Sequence, residues 1–156
     1  MHKSPLAFTL VLTVSLILSA CGGPLGPLAG GELSGEEASP TNGDWSFAKD
    51  VEVIQLETRP SEPHSINIWT GVLDKQLYLP SSLISGDENP AERGWVQHVT
   101  ADPSVRLRID GRVYTAQAVR VTNPALIAQI KSLILVKYEE EATPHSNNAW
   151  IYRIDE

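Results

Sequence analysis

Cysteine is nearly absent from this chain: Cys21 is the only one in 156 residues. No disulfide can close within the chain, and a structural zinc site built on cysteines is excluded. Cations are also scarce. Lys and Arg number 12 against 19 Asp and Glu, for a formal net charge of −7. Such a chain has little with which to neutralise a run of phosphates, so nucleic acid is not an expected partner. It also has no long-range attraction to anionic lipid. The four histidines, His2, His64, His98 and His145, lie far apart and show no ligand spacing, so no metal site is expected. There is no Gly-x-Ser-x-Gly elbow, no Gly-x-x-x-x-Gly-Lys loop and no internal repeat, which leaves hydrolase and nucleotidase readings without a motif.

What is present begins at the N-terminus. Met1-His2-Lys3 is a short positive start, and Leu6–Leu18 is an apolar stretch of 13 residues. That length suits the core of an export signal rather than a membrane-spanning helix. Leu18-Ser19-Ala20-Cys21 follows at once and resembles the bacterial lipobox, in which a cysteine is lipidated and becomes the first residue of the mature chain. The resemblance implies a signal peptide over 1–20 and a palmitate-bearing lipoprotein attached through Cys21. The start has no Arg-Arg pair, so export is expected by the general secretory route, which carries unfolded chains. Gly22, rather than Asp, follows the cysteine. By resemblance to Gram-negative lipoproteins, this points to the outer membrane where the cell has one, and otherwise to the extracytoplasmic face of the envelope.

Residues 21–44 are rich in Gly, Pro and small polar residues and have no apolar periodicity, so they are expected to form a flexible linker, with Leu25, Leu28 and Leu33 as the positions able to pack on the domain. A coil of this length spans roughly 25–30 Å. The folded domain is expected over 45–156. Alternation predicts strands over 50–58, 64–73 and 76–79, a helix over 91–101 stopped by Asp102-Pro103, and strands over 104–109 and 112–121. Asp110-Gly111 between the last two is the sequence of a type I′ hairpin. Asn123-Pro124 predicts the start of a helix whose Leu126, Ile127, Ile130, Leu133 and Ile134 face the core, and Ala149–Ile154 predicts a final strand. The expected class is mainly β with two helices: six strands, mostly antiparallel, able to escape their edges by closing into a barrel.

Four phrases carry a further resemblance. They are Thr58-Arg59-Pro60-Ser61-Glu62-Pro63-His64, Leu77-Tyr78-Leu79, the stretch from Trp95 through Asp102-Pro103-Ser104-Val105, and Gly111-Arg112-Val113-Tyr114. With the element order, they resemble the split β-barrel superfamily of pyridoxamine-phosphate-oxidase-like flavin proteins and deazaflavin-dependent nitroreductases. The resemblance implies a six-stranded split barrel, an FMN or deazaflavin site with its phosphate in the loop between the first two strands, and a homodimer. Arg59, Ser61 and His64 are the residues it places at that anion site, and Trp69 and Trp95 are candidates to stack on a flat ligand. The loop also departs from the pattern. Pro60, Glu62 and Pro63 stand where glycine and further cations belong; Glu62 repels a phosphate, and Pro63 supplies no N–H.

Three functional readings follow. The first is a tethered, non-catalytic ligand-binding or structural module with no cofactor. The second is a flavin- or deazaflavin-dependent oxidoreductase of the envelope. The third is a haem-binding protein with His64, His98 or His145 as axial ligand, since haem can be acquired after export.

Overall fold

The computed structural model describes residues 23–83 and 89–156. The expected signal segment, Cys21 and Gly22 lie outside these. Eight strands run in chain order: β1 (Glu36–Ala38), β2 (Ile54–Thr58), β3 (His64–Ile68), β4 (Gly71–Leu73), β5 (Gln76–Pro80), β6 (Ser104–Ile109), β7 (Arg112–Arg120) and β8 (Ile151–Asp155). Three α-helices join them: α1 (Gly94–Ala101), α2 (Pro124–Lys137) and α3 (Pro144–Asn148). One curled sheet has the order β3-β2-β6-β7-β8-β5-β4, and β1 adds to β7. Every pairing is antiparallel except that of β1 with β7.

The class matches the expectation, but eight strands stand where six were expected and three α-helices where two were; three details of these elements differ. The first is the strand expected over 64–73, which is two strands. Thr70 is buried between them, and its backbone bonds to α2 instead of to a neighbouring strand. Its N–H donates to the Tyr138 hydroxyl (2.9 Å), and Lys137 Nζ donates to its carbonyl (3.2 Å). The chain therefore leaves β2 at Ile68 and joins β5 at Gly71. The second is the helix expected over 91–101, which begins at Gly94, because Arg93 has extended backbone (φ −70°, ψ 126°) that ends a single 3-10 turn over Pro90–Glu92. The third is α3, which was not foreseen. It is a five-residue helix capped by Thr143, whose side chain accepts from Ser146 N–H.

The segment 23–44 gives the largest difference. Composition reads it as a free tether, yet much of it lies on the sheet. The outward residues of β2, β3 and β6 are polar, namely Gln55, Glu57, Ser65, Asn67, Arg106 and Arg108, while Ile54, Leu56, Val105, Leu107 and Ile109 fill the barrel. The N-terminal strap crosses the polar face. Gly30 and Ser65 exchange backbone hydrogen bonds (2.8 and 2.9 Å), Leu33 is 1% exposed, and β1 covers the part of β7 that β8 leaves open. Glu57, 3% exposed, is the fixing point. Its carboxylate accepts from both Arg106 Nη1 (3.1 and 3.2 Å) and the Leu33 backbone N–H. Arg106 also donates to Glu37 of β1 at 2.9 Å. Arg106 and Arg108 thus meet the strap, and Arg112 pairs with Glu36 of β1.

The Asp110-Gly111 turn has both residues at positive φ (48° and 80°), as a type I′ hairpin requires. Asn123 caps α2, its side chain accepting from the N–H groups of Ala125 and Leu126. The apolar stripe of α2 packs with Tyr78, Leu83, Ala149 and Ile151 into a second cluster beside the barrel core.

Removing the charge at position 57 isolates the strap's contribution. Glu57→Gln should lower stability by about 1–3 kcal/mol, because Arg106 and the Leu33 N–H lose a charged acceptor out of water. Glu37→Gln, at an exposed carboxylate, should cost less than about 1 kcal/mol. Urea denaturation of the two variants checks the contrast.

Candidate functional site

The sequence candidates fall along one seam, where the inner side of β3 meets α1. At its upper end, β2 and β3 finish on the register pair Thr58 and His64. The loop between them is closed by its own residues. Glu62 N–H donates to the Arg59 carbonyl (2.9 Å), and Arg59 Nη1 pairs with the Glu62 carboxylate (3.2 Å). Arg59 adopts positive φ (57°) to make this turn. Its Nε is buried and lacks a hydrogen-bond partner. Ser61 is exposed and forms no part of an enclosed site.

Helical spacing brings His98 to this end, one turn beyond Trp95. The rings of His64 and His98 meet edge to face at 5.3 Å, and the Thr58 hydroxyl lies 2.8 Å from His98 Nδ1 and 3.3 Å from the His64 carbonyl oxygen. A hydroxyl has one proton. Donated to the carbonyl, it leaves Thr58 accepting from Nδ1–H, with the lone pair of the neutral ring on Nε2. Burial first, then the Arg59 guanidinium and the neighbouring His64 ring, hold the His98 pKa below the ordinary histidine value of 6.5, with Glu62 opposing them.

Lower on the seam is a groove of about 280 Å³. Trp69 and Trp95 both line it, with Ile66, Asn67, Ser82 and Arg93. Trp69 also stacks on Tyr138 at 4.2 Å and 6°, which fixes its plane. Trp95 is almost wholly buried and meets Tyr152 edge on, so it serves the barrel core first and offers the groove little surface. His145 is on α3, whose cap Thr143 donates to the carbonyl of Leu83 at the edge of the groove, but His145 itself does not line the groove. No group of three or more metal-binding side chains occurs among the described residues.

Sequence reasoning named Arg59, Ser61, His64, Trp69 and Trp95 but divided them between an anion site and a stacking site. The structure places Arg59 and His64 at one end of the seam and the two tryptophans at the other. It adds Thr58 and Arg93, pairs Glu62 with Arg59, and brings His98, named only as a haem ligand, against His64. The hairpin register pairing Thr58 with His64, and the three-residue spacing from Trp95 to His98, carried this information once α1 was known to cover β3.

The fold is that of the split β-barrel. Solved structures share it: a conserved hypothetical protein from Mycobacterium tuberculosis (TM-score 0.53, 19% identity, 72% of this chain and 76% of that one), a candidate pyridoxamine 5′-phosphate oxidase from Listeria innocua (0.52, 17%, 73% and 92%) and an F420-H2-dependent reductase (0.52, 10%, 80% and 100%). At these identities the likeness is one of fold. No protein-family model and no curated protein matches the chain.

The lowered His98 pKa makes stability depend on pH. The unfolded chain takes up this proton at higher pH than the folded chain does. The contribution of the neutral ring is therefore complete above about 6.5 and is lost as pH falls through that value toward the lowered folded pKa. Tm should drop between neutral and mildly acidic pH, and His98→Asn, which cannot titrate, should remove part of that drop. An unchanged slope in the variant would contradict the assignment.

Proposed function

We propose that this chain is an envelope lipoprotein, cleaved before Cys21 and anchored there by lipid, whose split barrel is a non-catalytic module for a flat, uncharged ligand. One observation carries the ligand reading: the loop that would hold a cofactor phosphate is closed on itself. Arg59 is matched by Glu62 at 3.2 Å. Pro60 and Pro63 offer no N–H. A phosphate entering there would have to displace Glu62 or face its charge, and at about 4 Å two like charges repel by roughly 4 kcal/mol near a protein surface. The groove offers the ring surface of Trp69 beside Ser82, which suits the plane and edge of an aromatic heterocycle. Among the described residues no imidazole lines it, which offers haem no axial ligand there. The anchor reading rests on the Leu18-Ser19-Ala20-Cys21 run directly after the apolar stretch.

A second reading has its own support. Solved structures with this fold include an F420-H2-dependent reductase and a candidate pyridoxamine 5′-phosphate oxidase. Under that reading the chain is a flavin- or deazaflavin-dependent oxidoreductase, and Arg59 must release Glu62 to take the phosphate.

Riboflavin and FMN share a ring and differ by a phosphate, so they separate the two readings. Titrated into the mature protein and followed by tryptophan fluorescence, FMN should bind no more tightly than riboflavin, and Trp69→Ala should weaken both. An FMN dissociation constant in the low micromolar range (roughly −8 kcal/mol), at least about tenfold tighter than riboflavin and lost in Arg59→Ala, would overturn the proposal in favour of the oxidoreductase.

A further inference from the structure

We propose that the turn Leu25–Leu28 lies in the bilayer surface, so that the barrel is docked on its membrane rather than held away from it; this rests on the lipoprotein reading of Cys21. The first support is the lack of slack. Pro24 is buried and its carbonyl accepts from Gln55 Nε2 (3.4 Å); the Gly26 carbonyl accepts from Asn67 Nδ2 (2.9 Å). From there the strap continues through the Gly30–Ser65 pair to Leu33 and Glu57. The lipid-bearing residue is two positions before Gly23, so its Cα is at most about 7 Å away. A lipid seated in the bilayer therefore brings the fixed start of the strap to the membrane surface. The roughly 25–30 Å reach of a free coil of 23 residues is not available to a segment fixed this way.

The second support is what the strap presents at that end. Leu25 and Leu28 are 77% and 68% exposed, the two most exposed leucines among the described residues. They are held side by side by reciprocal backbone hydrogen bonds (3.1 and 3.0 Å) across Gly26-Pro27, with Gly26 at φ 56°. Residues 22–31 carry no charge, whereas Glu32, Glu36 and Glu37 follow immediately. The occupant that fits an uncharged pair of leucines next to an acyl chain is the apolar layer of the bilayer, with no need for anionic headgroups.

The test uses the full chain with Leu28→Cys. Cys21 is the only native cysteine and its sulfur is taken by the lipid, so the new thiol alone accepts an environment-sensitive fluorophore. The lipidated protein is reconstituted into phosphatidylcholine–phosphatidylethanolamine vesicles. A label at position 28 should emit to the blue and be several-fold less accessible to an aqueous quencher than one at Glu141→Cys, at low and at high salt alike. Equal quenching at the two positions in protein that floats with the vesicles would overturn the docking while leaving the lipid anchor intact. Failure to float, or to take up labelled palmitate, would overturn both.

Discussion

A carboxylate sealed from water must be answered by cations and N–H donors, or it costs several kcal/mol. Glu57 is sealed at the centre of the polar face of β2 and is answered from two sides, by Arg106 within the sheet and by the Leu33 N–H from the strap. Neither answer is complete without the other. Arg106 is shared with Glu37, so the same guanidinium that neutralises Glu57 also holds β1 against β7. The strap is in this sense part of the domain. It covers the polar face of the sheet, pairs the edges that β8 and β2 leave open, and fixes the direction in which the chain leaves toward its N-terminus.

The opposite side of the fold depends on a second polar arrangement. Thr70 interrupts what would be one long strand, and Lys137 and Tyr138 at the end of α2 take over its backbone groups. Tyr138 then serves as the platform for Trp69. The position of the groove follows from these contacts. β3 stays with β2, β4 goes to β5, and the opening between them is floored by Ile66 and walled by Trp69 and Trp95. Burial depresses the pKa of Lys137, with Asp50 and Glu52 opposing, which is consistent with a lysine spent on carbonyl oxygens rather than on solvent.

Much of this was legible in the sequence because it rests on local rules. Alternation located β6, β7 and β8, Asp110-Gly111 set the register of β6 against β7, and Asn123-Pro124 marked the first turn of α2. The remainder depended on partners far along the chain. Residues 30–38 show no periodicity because they attach through backbone atoms, one leucine and three acids. Composition reads such a segment as a linker whether or not a sheet face with matching groups exists. Thr70 is an ordinary strand residue until Tyr138 is beside it. At the site, Arg59 was legible as a cation and Glu62 as an acid, but that they meet across a closed turn follows from the positive φ of Arg59, which no sequence rule assigns to an arginine.

Whether the strap is a fixed part of the domain is the claim on which the membrane geometry, the buried ion pair and the closed sheet edges all depend. Amide hydrogen exchange on the mature chain tests it most directly. Peptides covering 30–38 should exchange slowly, together with those covering β2 and β6, since the N–H groups of Gly30 and Leu33 are bonded to the sheet. Exchange of 30–38 at the rate of an unstructured peptide, while β2 and β6 stay protected, would show a domain complete without its strap and would contradict the account.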